Sequence, residues 1–470
     1  MNPAAVAPAL VVFAGCSLSL WLRAAGASLF VALAGGALVS AFICLAGSAH
    51  YCPQGFRDVF IFLVAVTAIG VVLMVSRLEP DRFEPIRIST SGTVVRERSW
   101  GRGRVILLDS PVGKIVVHLL PSSLFREGEI LEVEGVLEPF SPEPGSGGFD
   151  EGTYWLARGA VGIIRHGSGR SSGEMSVGIS RWRELVRERI LESMPPMMRG
   201  HLLAAWLGDR DPDLALMHSA WGTSHVLAVS GLHVGVVVLL LFTLLPVRFF
   251  RLATSSLFMW LYILFAGASS SSLRAGLMLQ TGFSARWKGR PLQALNMVSV
   301  AGLLLLFWRP WFFWDLGWRL SMTAALVLSS LQGTRPGKGW ILAPLILWVS
   351  TAGLVSGTFG SVPVAGIFVN IIAVPLFGIL LPGASLLALP ALAGVPGGSF
   401  FAWTGEILFR AWAILADLVS FLLPWNVPCS AGFSAAGMAV ALSFVLKGTG
   451  FGWFYAVLFS GAIAIFFMVM

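Results

Sequence analysis

Apolar residues run in blocks near the length of a membrane span at both ends of the chain, with one long stretch of different pattern between them. The first three blocks lie at about residues 4–22, 25–47 and 58–76, each close to the roughly 20 residues that a bilayer-spanning helix needs. Residues 77–215 are instead rich in charge, glycine and proline. They carry alternating runs such as "KIVVHLL" (114–120) and "EILEVEGVLEPF" (129–140), which have the two-residue period of strands and predict a small soluble β domain. Apolar blocks resume after Thr223, at roughly 224–245, 252–268, 270–283, 292–308, 311–331, 339–357, 363–392, 399–423 and 432–470. Pro363, Pro375, Pro382 and Pro390 fall in one of them and predict kinked or unwound helix, which is tolerated at membrane depth only against protein or a watery cavity.

Composition excludes a water-soluble globule: 56% of residues are hydrophobic and 12% charged, as in a polytopic membrane protein. The first block begins almost at Met1 without a basic leading region and is followed by two more, so it reads as a span and not as a cleaved signal peptide. Residues 77–215 sum to −2, which assigns the net +8 of the chain to its apolar parts. The basic loops "PVRFFR" (246–251), "ARWKGR" (285–290) and "RPGK" (335–338) fall at alternate ends of successive spans, as cytoplasmic loops do. Counting back through one span places the β domain outside the cytoplasm. The expected division is 1–76, about three transmembrane helices; 77–170, the β domain; 171–222, amphipathic linker helices; and 223–470, a polytopic helical domain. Cys16, Cys44, Cys52 and Cys429 have no metal-ligand spacing and receive no chemistry.

One stretch does not suit lipid. "SHVLAVSGLHVGVVVLLLF" (224–242) reads as a span yet keeps His225, Ser230, Gly231 and His233 in its first half. An ionisable residue at the bilayer centre costs about 2.5 to 3.5 kcal/mol on insertion scales and should meet a partner or a wet cavity. Others are Arg274, Asp315, Arg319, Glu406, Arg410 and Asp417, joined by the polar Asn370. Asp315/Arg319 and Glu406/Arg410 are spaced i, i+4, so each pair can neutralise itself on one helix face. On a helix His225 and His233 would lie about 80° apart, with Ser230 and His233 at i, i+3 on one broad face, which suits hydrogen-bonded packing, the lining of a polar passage, or nucleophilic or metal chemistry. The last lacks support: no HExxH pair, complete calcium loop or phosphate-binding GxxxxGK[ST] loop occurs, and "AVSGLH" supplies no evident oxyanion site. No catalytic residue, metal or cofactor is expected. In the β domain, Arg96, Arg98, Trp100, Arg102 and Arg104 alternate around a glycine-containing turn predicted in "VVRERSWGRGRV" (94–105), and such a tip could meet phosphates and stack a base.

Four blocks in order, "LGDRDPD" with "WGTSHVLAVSGLHVGVV", "SSLRAGLM", "DLGWRLSMTAA" and "FGSVPVAGIFVNIIAVP", resemble the ComEC competence family, membrane channels for DNA uptake in natural transformation. The resemblance implies that "GSGGFDEGTYWLARGAVGIIR" (145–165) ends an OB-type domain. The expected fold is therefore a polytopic α-helical membrane protein with an inserted extracytoplasmic small β-barrel, OB-like and five-stranded, in a bacterial inner membrane. It further implies passage of one DNA strand along His225, Ser230, Gly231, His233, Arg274, Asp315, Arg319 and Asn370, with Gly208, Asp209 and Arg210 as a separate motif. Many members carry a metallo-β-lactamase-like domain whose HxHxDH motif is absent here, so the expectation is a form without it. The expected partners are single-stranded DNA, membrane lipid, a DNA receptor, a separate nuclease, and a cytoplasmic helicase or strand-binding protein to supply work. A transporter or flippase of another anionic envelope polymer or lipid, and an intramembrane hydrolase using Ser230, remain alternatives.

Overall fold

The structure, a computed structural model, describes residues 8–24, 26, 28–48, 56–78, 83–100, 103–119, 125–143, 148–244, 248–289, 293–331, 338–448, 456–458, 460, 461 and 463. Cys52, Arg102 and most of the apolar run after Gly448 lie outside these residues.

The amino-terminal blocks form three helices, α1 (Pro8–Ala24), α2 (Leu29–Ser48) and α3 (Phe56–Val75). The charged stretch that follows forms a six-stranded sheet from β1 (Ile86–Trp100), β2 (Gly103–Ser110), β3 (Gly113–Leu119), β4 (Glu129–Leu137), β5 (Ala160–Ile164) and β6 (Ser168–Met175). Its order is β5-β3-β2-β1-β4-β6, with β3 and β5 parallel and the other neighbours antiparallel. Five strands were expected and six are present. Beyond β4, Glu138 and Ile163 exchange backbone hydrogen bonds of 2.9 Å, so the end of β4 meets β5 at one point.

Strand β2 shows why simple alternation fails in the sheet's middle. Val105, Ile106, Leu107 and Leu108 are all buried because both faces of the strand are covered. Ile106 and Leu108 join Ile115, Val117 and Val133 in the core of the sheet. Val105 and Leu107 join Trp155, Trp311 and Phe312 in the core of the helical part. The β domain is thus docked on the helices by its own apolar outer face, and burial of such area is the main favourable term available to it.

A short helix, α4 (Glu151–Leu156), separates β4 from β5; Asp150 caps it by accepting from the Thr153 backbone N–H at 2.9 Å. Helices α5 (Ile179–Ser193), α6 (Pro196–Leu202) and α7 (Pro212–Ala220) follow the sheet. The carboxyl-terminal helices are α8 (Gly231–Leu244), α9 (Arg248–Phe265), α10 (Ser270–Trp287), α11 (Ala294–Trp308), α12 (Leu316–Ser330), α13 (Lys338–Phe359), α14 (Ala365–Leu392), α15 (Gly398–Leu422) and α16 (Ala431–Gly448). Two short strands, β7 (Ser361–Pro363) and β8 (Asn426–Pro428), pair between them.

Among the described residues, three helical segments are long and apolar enough to cross a membrane: Leu342–Phe359, Ala365–Leu392 and Ala431–Gly448. Helix α14 runs through Pro375, Pro382 and Pro390 without a break in its helical assignment, so the unwinding expected there does not occur. Its packed face is small at Ala373, Ala384 and Ala388, which lets neighbours approach and support the backbone that proline leaves unpaired.

Candidate functional site

The stretch that did not suit lipid is not one helix. Residues 224–226 form a single 3-10 turn, and helix α8 starts only at Gly231. The cause is local: Ser230 ends the non-helical run as an N-cap, its Oγ accepting from the Leu232 N–H at 3.3 Å and its carbonyl from the Val234 N–H at 3.2 Å. His225 therefore sits in a loop, and the expectation of both histidines on one helical face fails.

Two other helices begin beside it. Ser269 caps α10, and Asp315 caps α12 by accepting from the Trp318 N–H at 2.9 Å. The serine run stitches the three starts together: Ser269 Oγ donates to the Val229 carbonyl at 3.1 Å, Ser270 Oγ to Asp315 Oδ1 at 2.7 Å, and Ser271 Oγ to the Gly317 carbonyl at 3.2 Å. Three helix N-termini, each carrying a partial positive charge, thus converge on one loop cluster.

Cations surround that cluster. Arg274 is buried, donating from Nε to Ser321 Oγ at 2.7 Å and from Nη1 to the Met278 sulfur at 3.0 Å, and no carboxylate faces it among the described residues. The Gly231 position lies against it: a Cβ there would sit 3.5 Å from Arg274 Nη2. Arg319 is exposed and has no side-chain partner among the described residues. Its expected pairing with Asp315 does not form, because the capping position turns the Asp315 carboxylate back over its own helix start and toward Arg158 Nη1 at 3.2 Å. Glu406 and Arg410 do pair, at 2.7 Å. His233 Nδ1 lies 3.1 Å from Ser230 Oγ, and its Nε2 is buried with no partner. His225 is exposed though protein surrounds it, which places it in a recess that water reaches.

The GDR motif and the linker helices hold this cluster against the β domain. Glu127, fully buried, receives Arg183 Nε at 2.8 Å and Arg187 Nη2 at 2.8 Å, with Arg96 Nε at 3.9 Å. Asp209 accepts from Arg187 Nε at 2.9 Å and Nη2 at 2.6 Å. Arg183 also donates to the Phe265 carbonyl and, at 3.0 Å, to the Leu207 carbonyl. Burial alone would raise the Glu127 carboxyl, but the Arg183 and Arg187 guanidiniums overcome it and hold the group below its ordinary range. Burial pushes Arg96 down to about 10. Gly208 is needed for this arrangement: its φ is +69° and a Cβ would meet the Ala266 carbonyl oxygen at 2.6 Å.

The expected basic tip is divided by strand alternation. Arg96 and Arg98 share one face of β1, where Arg96 enters the ion network and Arg98 donates to the Tyr154 hydroxyl. Arg104 lies opposite Ser99, hence on the other face, and pairs with Glu97. Trp100 closes the hairpin opposite Gly103; Arg102 is not among the described residues. Asn370 donates from Nδ2 to the Gly222 and Gly366 carbonyls at 3.1 and 2.7 Å, tying α14 to the WGTSH turn.

Sequence reasoning missed a buried histidine pair beneath that turn. His201 Nδ1 lies 2.7 Å from the Met197 carbonyl, so it is the donor there; His201 Nε2 then accepts from His218 Nε2 at 3.2 Å, and His218 Nδ1 from Thr223 Oγ1 at 2.8 Å. The His201 ring stacks on Phe409 at 3.9 Å. Their spacing, i and i+17 across two helices, gives no local signal. Burial pushes His201 down to about 4 and His218 to about 3. The unfolded chain would bind these protons near 6.5, so the stabilisation is complete above that pH and declines as pH falls toward 4. Melting followed by tryptophan fluorescence in detergent should show stability falling by about 1.4 kcal/mol per pH unit for each neutral histidine below about pH 6. The fall should shrink in His218→Asn; an unchanged fall would assign it to other groups.

Among the described residues no three His, Cys, Asp or Glu side chains are placed to hold a metal ion. A family model described as Competence protein matches residues 207–450, which span the GDR motif, the loop cluster and helices α8 to α16. ComE operon protein 3 of Bacillus subtilis (strain 168) is 28% identical over 227 residues, covering 45% of this chain and 29% of that protein. The match thus spans less than a third of the relative's length. No solved structure matches the chain.

Proposed function

This chain belongs to the competence protein family, and from that premise we propose that it is an inner-membrane channel passing single-stranded DNA into the cytoplasm during natural transformation. The observation that carries the reading is the convergence of three helix N-termini with Arg274, Arg319, His225 and His233 on one loop cluster. The starts of α8 and α10, which no carboxylate caps, and the guanidiniums of Arg274 and Arg319, which no carboxylate meets among the described residues, favour an anion there; the α12 start is already met by Asp315. The sheet, with its single β4–β5 contact, is read as an OB-like barrel outside the membrane, standing over this cluster.

The cluster lowers a barrier without supplying work. Moving one negative charge into an inside-negative cell costs about 2.3 kcal/mol per 100 mV, so a cytoplasmic motor or strand-binding protein must pull the strand. A receptor and a separate nuclease complete the set of partners.

The test is uptake of labelled double-stranded DNA into the cytoplasm of cells with the gene deleted, restored, or restored as His233→Leu, with membrane levels checked by blot. Uptake should vanish on deletion, return with the wild type and fail with His233→Leu. Undiminished uptake in the deletion strain would overturn the reading. One contact favours a second reading: Ser230 Oγ lies 3.1 Å from His233 Nδ1, the pairing of a serine nucleophile with a base. No carboxylate orients His233 among the described residues. Labelling by a serine-reactive probe, lost in Ser230→Ala, would support that hydrolase.

A further inference from the structure

Where the β domain meets the helices, two guanidiniums meet one aromatic ring and a third stands within electrostatic reach of them. The Arg158 guanidinium carbon stands over the Tyr154 ring, 3.4 Å from its centre, and Arg158 donates from Nη1 to the Tyr154 carbonyl at 2.7 Å. Arg98 reaches the same ring from β1 through its hydroxyl. Arg210, from the loop after the π-turn Leu203–Leu207, is exposed, has no side-chain partner among the described residues, and lies within electrostatic reach of Arg98, Tyr154 and Arg158. The nearby carboxylates are already committed. Asp315 divides itself between the α12 cap and Arg158, Asp211 caps α7, Asp209 holds Arg187, and Glu151 holds His118 and Arg165. Beside the guanidiniums stands Phe149, 57% exposed, its ring 5.5 Å from that of Tyr154.

A buried or half-buried aromatic stack that fixes guanidinium orientation, an excess of cation, and an exposed ring beside it are the components from which single-strand binders hold phosphates and stack bases. We propose that Arg98, Arg158 and Arg210 grip successive phosphates of a single nucleic-acid strand while Phe149 stacks one of its bases, at the mouth of the loop cluster. This rests on the strand-passing function proposed above and assigns it a docking site. It also redraws the expected basic tip: Arg98 and Arg210 belong to one patch, joined by Arg158, Tyr154 and Phe149, whereas Arg96 and Arg104 are occupied elsewhere.

Binding of a fluorescein-labelled oligothymidylate to the full chain in detergent micelles, followed by anisotropy over a range of salt, tests it. Arg98→Gln with Arg210→Gln should weaken binding about tenfold or more and flatten the plot of log affinity against log salt by about 1.4, or about 0.7 per lost phosphate contact. Phe149→Ala should weaken binding with the slope unchanged. Arg210 and Phe149 are exposed, so Arg210→Gln alone and Phe149→Ala should melt as the wild type does; Arg98 also holds the Tyr154 hydroxyl, so Arg210→Gln alone, with an expected slope change of about 0.7, keeps the test independent of folding. Equal affinity and slope in the variants, equal preference for a duplex, or no wild-type binding at low salt would each overturn the site. The same variants in the uptake assay separate the two readings: variants that bind normally, in a host that needs the gene for uptake, remove the docking site and leave the channel. Uptake unaffected by deletion removes the channel whatever the binding shows.

Discussion

Replacing Arg274 by methionine is expected to abolish DNA uptake while leaving the protein at least as stable as the wild type. The residue is 8% exposed, and among the described residues its side chain donates to a serine hydroxyl and a thioether, neither of which carries charge. A buried cation without a counterion costs folding free energy, and an apolar side chain of similar length removes that cost. A residue kept against its own stability cost is then explained by the anion it meets in function. Melting of the purified variant and uptake by cells carrying it at normal membrane level check both halves. Normal uptake would remove Arg274 from the path; a lower melting point would mean that a counterion sits beside it. Arg274→Lys should rescue uptake only in part, because an ammonium keeps the charge but not the planar fork that addresses Ser321 and an anion together.

The second large effect is structural. Glu127→Gln should destabilise the protein by about 3 to 5 kcal/mol, the usual result of removing one member of a buried ionic group and leaving the rest uncompensated. Glu127 is fully buried and neutralises Arg183 and Arg187 directly, with Arg96 close behind. Without its charge, three guanidiniums share Glu184 and Asp209. Glu132→Gln, on an exposed position of β4, the strand that follows the Glu127 turn, is the control and should stay within about 0.5 kcal/mol. Denaturation of both variants in micelles, with limited proteolysis between the β domain and the helices, checks this. If Glu127→Gln unfolds like the control, the network is not what joins the two parts.

Much of the architecture is legible as pattern. The run at 25–47 is α2 and the run at 58–76 is α3; "KIVVHLL" is β3, and "EILEVEGVLEPF" contains β4. The boundaries fail where a polar side chain decides them. A hydropathy window joins 224–230 to the apolar residues beyond because it cannot weigh one serine hydroxyl facing a free backbone N–H, yet Ser230 is what separates the two. The same holds for Asp315, where the i, i+4 spacing suggested a pair and the cap took the carboxylate.

The candidate site was legible as residue types and not as contacts. His225, His233, Arg274 and Arg319 were identifiable as polar groups out of place in lipid, and the structure brings their loops together through serines that looked merely permissive. Arg96 and Arg98 could not be told apart in sequence, since strand alternation assigns them one face but does not say what stands opposite each. The contacts of Tyr154 with Arg98, of Arg158 with Asp315 and of His201 with His218 were invisible because each joins residues 17 to 157 positions apart; the Tyr154–Arg158 stack is a local i, i+4 spacing that took its meaning from them.

The loop cluster has one more consequence, for the electric field. Helix α12 has 15 residues between its Asp315 cap and Leu331, or about 23 Å of helix against about 30 Å of hydrocarbon. On the path proposed above, its capped start leaves the remaining depth as polar ground, so a membrane potential would drop over a thinner septum than the bilayer itself. For a strand in transit on the proposed path, each phosphate still climbs the whole potential, but fewer of them stand on the slope at any instant. A puller on the cytoplasmic side would then work against a smaller standing force, spread over the same total climb.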